Sequence, residues 1–359
     1  MTTPVFALLG QKDEPTDAVD EYCRYLAAAL KSHAIHMEIR RVPWELHGWS
    51  ESLHALRLQA ASWRKTWIFV QYTALAWSAR GFPSRFRRVL NVLKDAGARI
   101  GVVFHDVEPF PGVRLIDHLR RRAQLRAMRH ALKLSDSAIF TVPPEQVSWL
   151  GEPPQNAIFI PVGANLPFPE TQAPRPSNEI PAVGVFSITG GEQGARETED
   201  ILIAVRRASR EVGRMRLSVF GRHAELRDGD LRQGLRDLPV EIVVEGVADA
   251  ERIVNRLCAC DVLLFVRKGI STRRSSGIAG IAAGLPVVAY KNSETSVPIT
   301  EAGVVLVEES QADKAGEALA QILRDSALRG DLAARSRLVY RNHFSWTAIG
   351  ERYAVLMNR

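Results

Sequence analysis

Residues 268–290 read K-G-I-S-T-R-R-S-S-G-I-A-G-I-A-A-G-L-P-V-V-A-Y, which sets two adjacent arginines and three serines where a loop turns into a helix. The preceding D-V-L-L-F-V, 261–266, is a short β-branched and aromatic run of the kind that forms a buried parallel strand. Small residues at 278–283 predict a helix, Gly284-Leu285-Pro286 stops it, and V-V-A-Y at 287–290 starts the next strand. The whole is a βαβ unit. Its first turn combines free backbone N–H groups, the positive end of a helix dipole, hydroxyls and two guanidinium forks, a set that suits a phosphate or diphosphate. Taken alone, an Arg-Arg pair at a helix start can equally be a solvated face.

Outward from this unit the same alternation runs along the chain. Toward the N-terminus the pattern predicts strands at 182–187, 216–220 and 240–244 and helices at 197–212, 231–238 and 250–259. Beyond it come a strand at 304–307 and a helix at 311–323. The first half repeats the pattern, with strands at 5–9, 37–42, 67–72, 100–104 and 137–142 and helices at 17–30, 50–63, 86–96 and 114–133. Five prolines in the sixteen residues 166–181, without an apolar period, read as a linker. The expected class is α/β, with two tandem Rossmann-like domains facing each other across a cleft. Their expected bounds are 1–165 and 182–342 around the Pro-rich linker 166–181, and a helix within 343–359 should cross back onto the first domain.

Composition narrows the setting. At 359 residues and 46% hydrophobic the chain exceeds one ordinary core. Its apolar N-terminal run lacks the basic flank and length of a signal peptide, and no stretch reaches the ~18 apolar residues of a membrane span. Cys23, Cys258 and Cys260 show no Cys-x-x-Cys spacing and read as small buried hydrophobes in a reducing compartment. The expected location is cytoplasmic, with room for peripheral attachment to the inner face of a membrane.

A net charge of +7 calls for an anionic partner. The excess gathers in basic helices within 80–99 and 114–133. Leu115, Leu119, Leu125, Met128 and Leu132 at near-helical spacing predict that the second is an amphipathic helix with a strongly basic face. Both basic faces could be simply solvated, or could meet an anionic membrane surface. Nucleic acid is not expected, because no nucleic-acid motif or basic-aromatic interleaving accompanies the charge.

Several segments in order carry a resemblance: G-Q-K-D-E-P-T-D at 10–17, V-Q-Y-T at 70–73, V-F-H-D at 103–106, and I-P-V-G-A-N-L-P at 160–167. The donor-loop stretch, A-A-G-L-P-V-V-A at 282–289 and F-S-W at 344–346 complete it. Together they make the chain similar to the GT-B glycosyltransferases, specifically the family-4-like retaining enzymes of bacterial polysaccharide and glycolipid synthesis, in a branch with G-x-S-x-R-R in the donor loop. The resemblance implies transfer of a sugar from a nucleotide diphosphate sugar to a glycan or lipid-linked acceptor. It departs from the family where two glutamates eight positions apart are common, since Ser271 and Ala279 stand there. The usual Arg and Lys pair at the start of the second domain is also missing from 187–196, where only Arg196 remains.

The implied donor residues are Gly269, Ser271, Thr272, Arg273, Arg274, Ser275 and Ser276, with Gly190 and Arg196 from the start of the second domain. Arg273 and Arg274 are the diphosphate forks, and the serine and threonine hydroxyls are further donors. His105 and Asp106 end a strand where a Rossmann sheet presents ligand-facing residues, and in the resembled family such a histidine contacts the transferred sugar. A hydrogen-bonded histidine at a strand end is the plainer alternative. Gly10, Lys12, Asp13, Thr16 and Asp17 form the first β–α loop on the acceptor side, where Thr16 or Asp17 could instead be a helix N-cap. Tyr72 is a candidate stacking platform, or else core. Asp228-Gly229-Asp230 reads as a surface turn, so no cofactor or metal is expected. Two other functions stay open: a nucleotide-sugar-binding scaffold or inactive partner, and a nucleotide-sugar hydrolase or epimerase.

Overall fold

A computed structural model describes residues 4–13, 17–169 and 178–358. The chain divides into two compact units, Met1–Val162 with Trp346–Arg359, and Gly163–Ser345. Of the Pro-rich segment 166–181, residues 170–177 lie outside the described residues, as does Thr16.

The first unit is built on strands β1 (Val5–Leu9), β2 (Met37–Arg41), β3 (Trp67–Tyr72), β4 (Arg99–Phe104), β5 (Ser137–Phe140) and β6 (Ala157–Phe159). They form one parallel sheet in the order β2-β1-β3-β4-β5-β6. The helices are α1 (Ala18–Leu30), α2 (Trp44–His47), α3 (Trp49–Ala60), α4 (Ser84–Asp95) and α5 (Leu115–Leu134). All of β1 and β3 is buried, as expected of parallel strands covered on both faces. Phe6, Trp63, Phe69, Phe86, Phe104 and Phe140 supply much of the core; each such side chain contributes about 1.5–3 kcal/mol when taken from water.

The second unit repeats the plan. Its strands are β7 (Ala182–Phe186), β8 (Met215–Phe220), β9 (Val240–Glu245), β10 (Val262–Phe265), β11 (Val287–Tyr290) and β12 (Val304–Val307). The parallel sheet runs β12-β11-β10-β7-β8-β9. Around it lie α6 (Gly191–Val212), α7 (Asp228–Leu235), α8 (Ala250–Cys258), α9 (Ser275–Ala282), α10 (Ala312–Arg324) and α11 (Ser326–Val339). A π-helical turn at Tyr340–Phe344 follows. The last helix, α12 (Trp346–Met357), belongs to the first unit: the Tyr22 hydroxyl meets that of Tyr353 at 2.9 Å, and Trp346 stacks on Tyr25.

In each sheet the chain leaves its first strand toward one edge and later returns to build the other. The strand order therefore reverses between β1 and β3 and between β7 and β10. The carboxyl ends at such switch points are where doubly wound sheets leave a crevice.

Three expectations need correcting. Asp228-Gly229-Asp230 is the first turn of α7 rather than a surface turn, with Asp228 paired to Arg232 one turn on at 2.8 Å. Helix α6 starts at Gly191, six residues before the predicted start, with Gly190 as its extended N-cap and Gly194 within its first turns. The third is α5, whose buried residues are Asp117, Gln124, Ala127, Met128 and Ala131. Leu115 and Leu119 point outward, 86% and 56% exposed. The inward polar groups are satisfied: Asp117 by Arg120 and the Arg114 amide, Gln124 by the Phe110 amide and the Gly81 carbonyl.

Candidate active site residues

In the second unit two loops meet at the switch point. The loop after β10 runs 266–274 into α9, and the loop after β7 runs 187–190 into α6. Arg267 joins them, donating from Nη1 to Ser276 Oγ at 3.1 Å and from Nε to Thr189 Oγ1 at 3.4 Å. Gly269 has φ +81°, and a Cβ there would lie 2.7 Å from Asn292, so only glycine brings the loop this close to the 291–296 turn. Asn292 fixes that approach by donating from Nδ2 to the Lys268 carbonyl at 2.7 Å.

The two adjacent arginines do different things. Arg273 gives its fork to Glu294, at 2.7 and 2.8 Å, a bidentate pair that anchors the loop to the turn after β11. Burial pushes the Glu294 carboxyl up, but the Arg273 hydrogen bonds and charge outweigh it and hold the group below the ordinary range. Arg273 as a free diphosphate fork is thus corrected: Glu294 already occupies that fork. Arg274 caps α9, and its Nε is buried without a hydrogen-bond partner. Burial, then the neighbouring Arg273 charge and Arg267, pulls Arg274 down to about 10, opposed by Glu294 and Glu197. It stays charged at neutral pH. Arg267 is lowered as well, by burial and the Arg222 charge, against Glu197. A half-buried guanidinium with a buried, unmet Nε donor among other cations is a place where an anion would relieve both desolvation and repulsion.

Ser275 and Ser276 open α9 and are half-buried, whereas Ser271 and Thr272 are fully buried. The Ser271 hydroxyl is buried without a hydrogen-bond partner. Gly190 is the N-cap of α6, with a Cβ position 3.3 Å from His223 Nε2. Arg196 lies on the exposed side of α6, while the next residue, Glu197, is 1% exposed and accepts from the Thr189 amide at 2.8 Å.

The first unit's switch point carries a cavity of about 260 Å³ lined by Gly10, Lys12, Asp13, Asp17, Gln71 and Asp106 among others. Gly10 is required there, since a Cβ would sit 2.2 Å from the Ala76 carbonyl oxygen. Lys12 and Asp13 are exposed at the rim. Asp17 caps α1, accepting from the Val19 and Asp20 amides at 3.1 Å, and pairs with Arg41 at 2.9 Å. Arg41 also donates to the Gly10 carbonyl at 3.2 Å, so one guanidinium ties the loop to the cap.

Asp106 accepts from the Ala74 amide at 2.8 Å and lines the cavity at the β3 and β4 ends. The His105 ring packs edge-on against Tyr22 at 5.0 Å. Its Nε2 lies 2.8 Å from Gln71 Oε1, while Gln71 Nε2 donates to the Phe69 carbonyl. That orients the amide and makes His105 the donor at Nε2, with the Nδ1 lone pair as acceptor. Burial lowers the imidazole to about 4, against the opposing pull of Asp17, so it is neutral at physiological pH. Tyr72 is 1% exposed and packs against Phe86 and Phe104. Its stacking role is corrected to a core role.

Arg267, Glu294, Gln71 and Arg41 were not singled out in the sequence. Arg267 alone carried a usable signal, as a cation at the carboxyl end of a buried strand. Among the described residues no group of three His, Cys, Asp or Glu side chains is gathered to hold a metal ion, and no helix is long and apolar enough to cross a membrane.

Two Rossmann-like units in tandem, each a six-stranded parallel sheet, define the GT-B fold. No family model matches the chain. In structure it is similar to Alr3699/HepE of Anabaena, solved in complex with UDP and glucose, with TM-score 0.67 and 14% identity over 99% of both chains. It is also similar to sucrose-phosphate synthase of Thermosynechococcus elongatus, with TM-score 0.66 and 18% identity over 99% of this chain and 98% of that one. In sequence, 131 residues are 28% identical to a GDP-mannose-dependent monoacylated alpha-(1-6)-phosphatidylinositol monomannoside mannosyltransferase of Corynebacterium glutamicum. That match spans 35% of this chain and 34% of the relative.

Proposed function

We propose that this chain is a glycosyltransferase that moves a sugar from a nucleoside diphosphate sugar to a glycan or lipid-linked acceptor. The observation that carries the reading is Arg274, half-buried at the second unit's switch point under the influence of the Arg267 charge, with its Nε buried and unpaired. Support comes from the fold shared with a protein solved with UDP and glucose, and from the partial match to a mannosyltransferase.

In this reading Arg267, Arg274 and the first turn of α9 receive the diphosphate. The bond between the anomeric carbon and the diphosphate oxygen breaks, its electron pair passes to that oxygen, and the arginines meet the charge as it grows. The acceptor hydroxyl oxygen bonds to the anomeric carbon and gives its proton to the departing diphosphate oxygen. His105, neutral and oriented by Gln71, and Asp106 act on the sugar side, while the Gly10–Asp17 loop holds the acceptor. Retention of anomeric configuration and independence from metal follow the family resemblance and are part of the proposal, as is work at the cytoplasmic side of a membrane.

The test supplies UDP-, GDP-, ADP- and dTDP-sugars, labelled in the sugar, with glycan and lipid extracts as acceptors. One donor should yield labelled product and an equivalent of nucleoside diphosphate. Donor binding without transfer to any acceptor would favour a nucleotide-sugar-binding scaffold, a reading motivated by Ala279 where the family has a glutamate. Neither binding nor transfer would overturn the proposal.

A further inference from the structure

The two basic helices of the first unit use their apolar residues in opposite ways. Helix α4 turns Phe86, Val89, Leu90, Val92 and Leu93 inward. Helix α5 leaves Leu115 and Leu119 in water, and the loop entering it leaves Val113 88% exposed. Five of the thirteen large hydrophobic side chains exposed among the described residues fall within 110–119. Such a concentration marks a surface that something covers.

The arrangement along α5 indicates what. At 3.6 residues per turn, positions 115, 119, 122, 126, 129 and 133 share one stripe about 80° wide. They are Leu115, Leu119, Arg122, Arg126, Arg129 and Lys133, all exposed and opposite the buried face. The helix has one carboxylate, Asp117, which is buried and paired with Arg120. Among the described residues no carboxylate pairs with the three stripe arginines. An apolar tip followed by uncompensated cations matches a surface that is apolar inside and anionic at its rim.

We propose that this stripe docks the protein on an anionic lipid bilayer. Val113, Leu115 and Leu119 enter the interface, and Arg122, Arg126, Arg129 and Lys133 meet lipid phosphates. A second copy of the chain fits less well, because a two-fold contact through the stripe sets arginine against arginine. The proposal stands on the first unit's surface and does not depend on glycosyl transfer. It also separates α5 from α4, whose Arg87 and Arg88 are exposed without apolar neighbours on the outer face.

The test is co-sedimentation of the full chain with vesicles of phosphatidylcholine, alone or mixed with phosphatidylglycerol. Binding should be at least about tenfold tighter on the mixed vesicles and weaken with salt. Leu115→Ser/Leu119→Ser and Arg122→Gln/Arg126→Gln/Arg129→Gln should each lose about tenfold, with Arg87→Gln/Arg88→Gln within about twofold of the parent. The altered side chains are exposed, so unfolding temperatures should match the parent's. Absence of vesicle binding, or an equal loss from the α4 variant, would overturn the assignment. A dimer broken by the leucine variant would make the stripe an interface between copies instead.

Discussion

The two switch points sit at equivalent places on equivalent sheets, yet one is lined mainly by carboxylates, with Lys12 at its rim and the neutral His105 imidazole at the adjoining strand end, and the other carries half-buried guanidinium groups. At the first, Asp106 and Asp17 border the cavity, and His105 is held uncharged by burial. At the second, half-buried Arg274 is lowered by burial and by the Arg273 and Arg267 charges, and Arg267 by burial and the Arg222 charge, with Glu197 opposing both shifts and Glu294 opposing that of Arg274. The scaffold supplies the crevice in both cases, and the side chains at the strand ends decide which charge it accepts. On the proposed function this is a division of labour, with the leaving diphosphate at the arginines and the sugar and acceptor at the carboxylates.

The largest effect that could break this contrast is expected at the guanidinium groups. Arg267→Gln/Arg274→Gln should weaken nucleoside diphosphate binding by about a hundredfold or more, two charge-assisted contacts at roughly 1.5–3 kcal/mol each. Calorimetric titration reads this directly, and an affinity within threefold of the parent would remove the site. His105→Ala should lower turnover by at least about tenfold while leaving nucleotide affinity within about twofold. A change in affinity instead of turnover would blur the two regions into one.

Smaller effects concern stability. Glu294→Gln removes the charge opposite Arg273 and should cost about 2–4 kcal/mol in denaturant unfolding, since a half-buried cation loses its counterion. His105 contributes a pH dependence of known sign. Its folded value near 4 lies below the ordinary 6.5, so the unfolded chain takes the proton first as pH falls. Stability should therefore be lost between about pH 6.5 and 4, by up to roughly 3 kcal/mol from this group, and His105→Gln should flatten that slope. The smallest expected change is Tyr72→Phe. Its hydroxyl is buried without a partner, so stability should move by less than about 0.5 kcal/mol and turnover should not move.

Local patterns carried the fold well, and non-local pairings limited what could be said of the site. The run 261–290 reads as strand, loop, helix and strand because each step has its own signal, from β-branched residues to Gly284 and Pro286. Strand β6 is three residues long between turns, and α11 mixes charges around its circumference, so neither has a periodicity to read. Arg273 and Arg274 were legible as a pair, but their separate roles were not. Glu294, 21 residues onward, claims one and leaves the other. Gln71 reaches His105 across 34 residues, and Arg267 reaches Thr189 across 78, contacts created by strand order rather than by sequence neighbourhood. In α5 the leucine spacing was read correctly as helical, but spacing alone does not say which side of a helix the core will take.

The central claim is that the guanidinium pair recognises a diphosphate. The most direct measurement is a calorimetric comparison of UDP and GDP with their monophosphates and nucleosides, on the parent and on Arg267→Gln/Arg274→Gln. The account predicts that at least one base series tightens about tenfold or more per added phosphate in the parent, and that this gradient collapses in the variant. Equal affinities along both series, or a gradient that survives the double substitution, would contradict it.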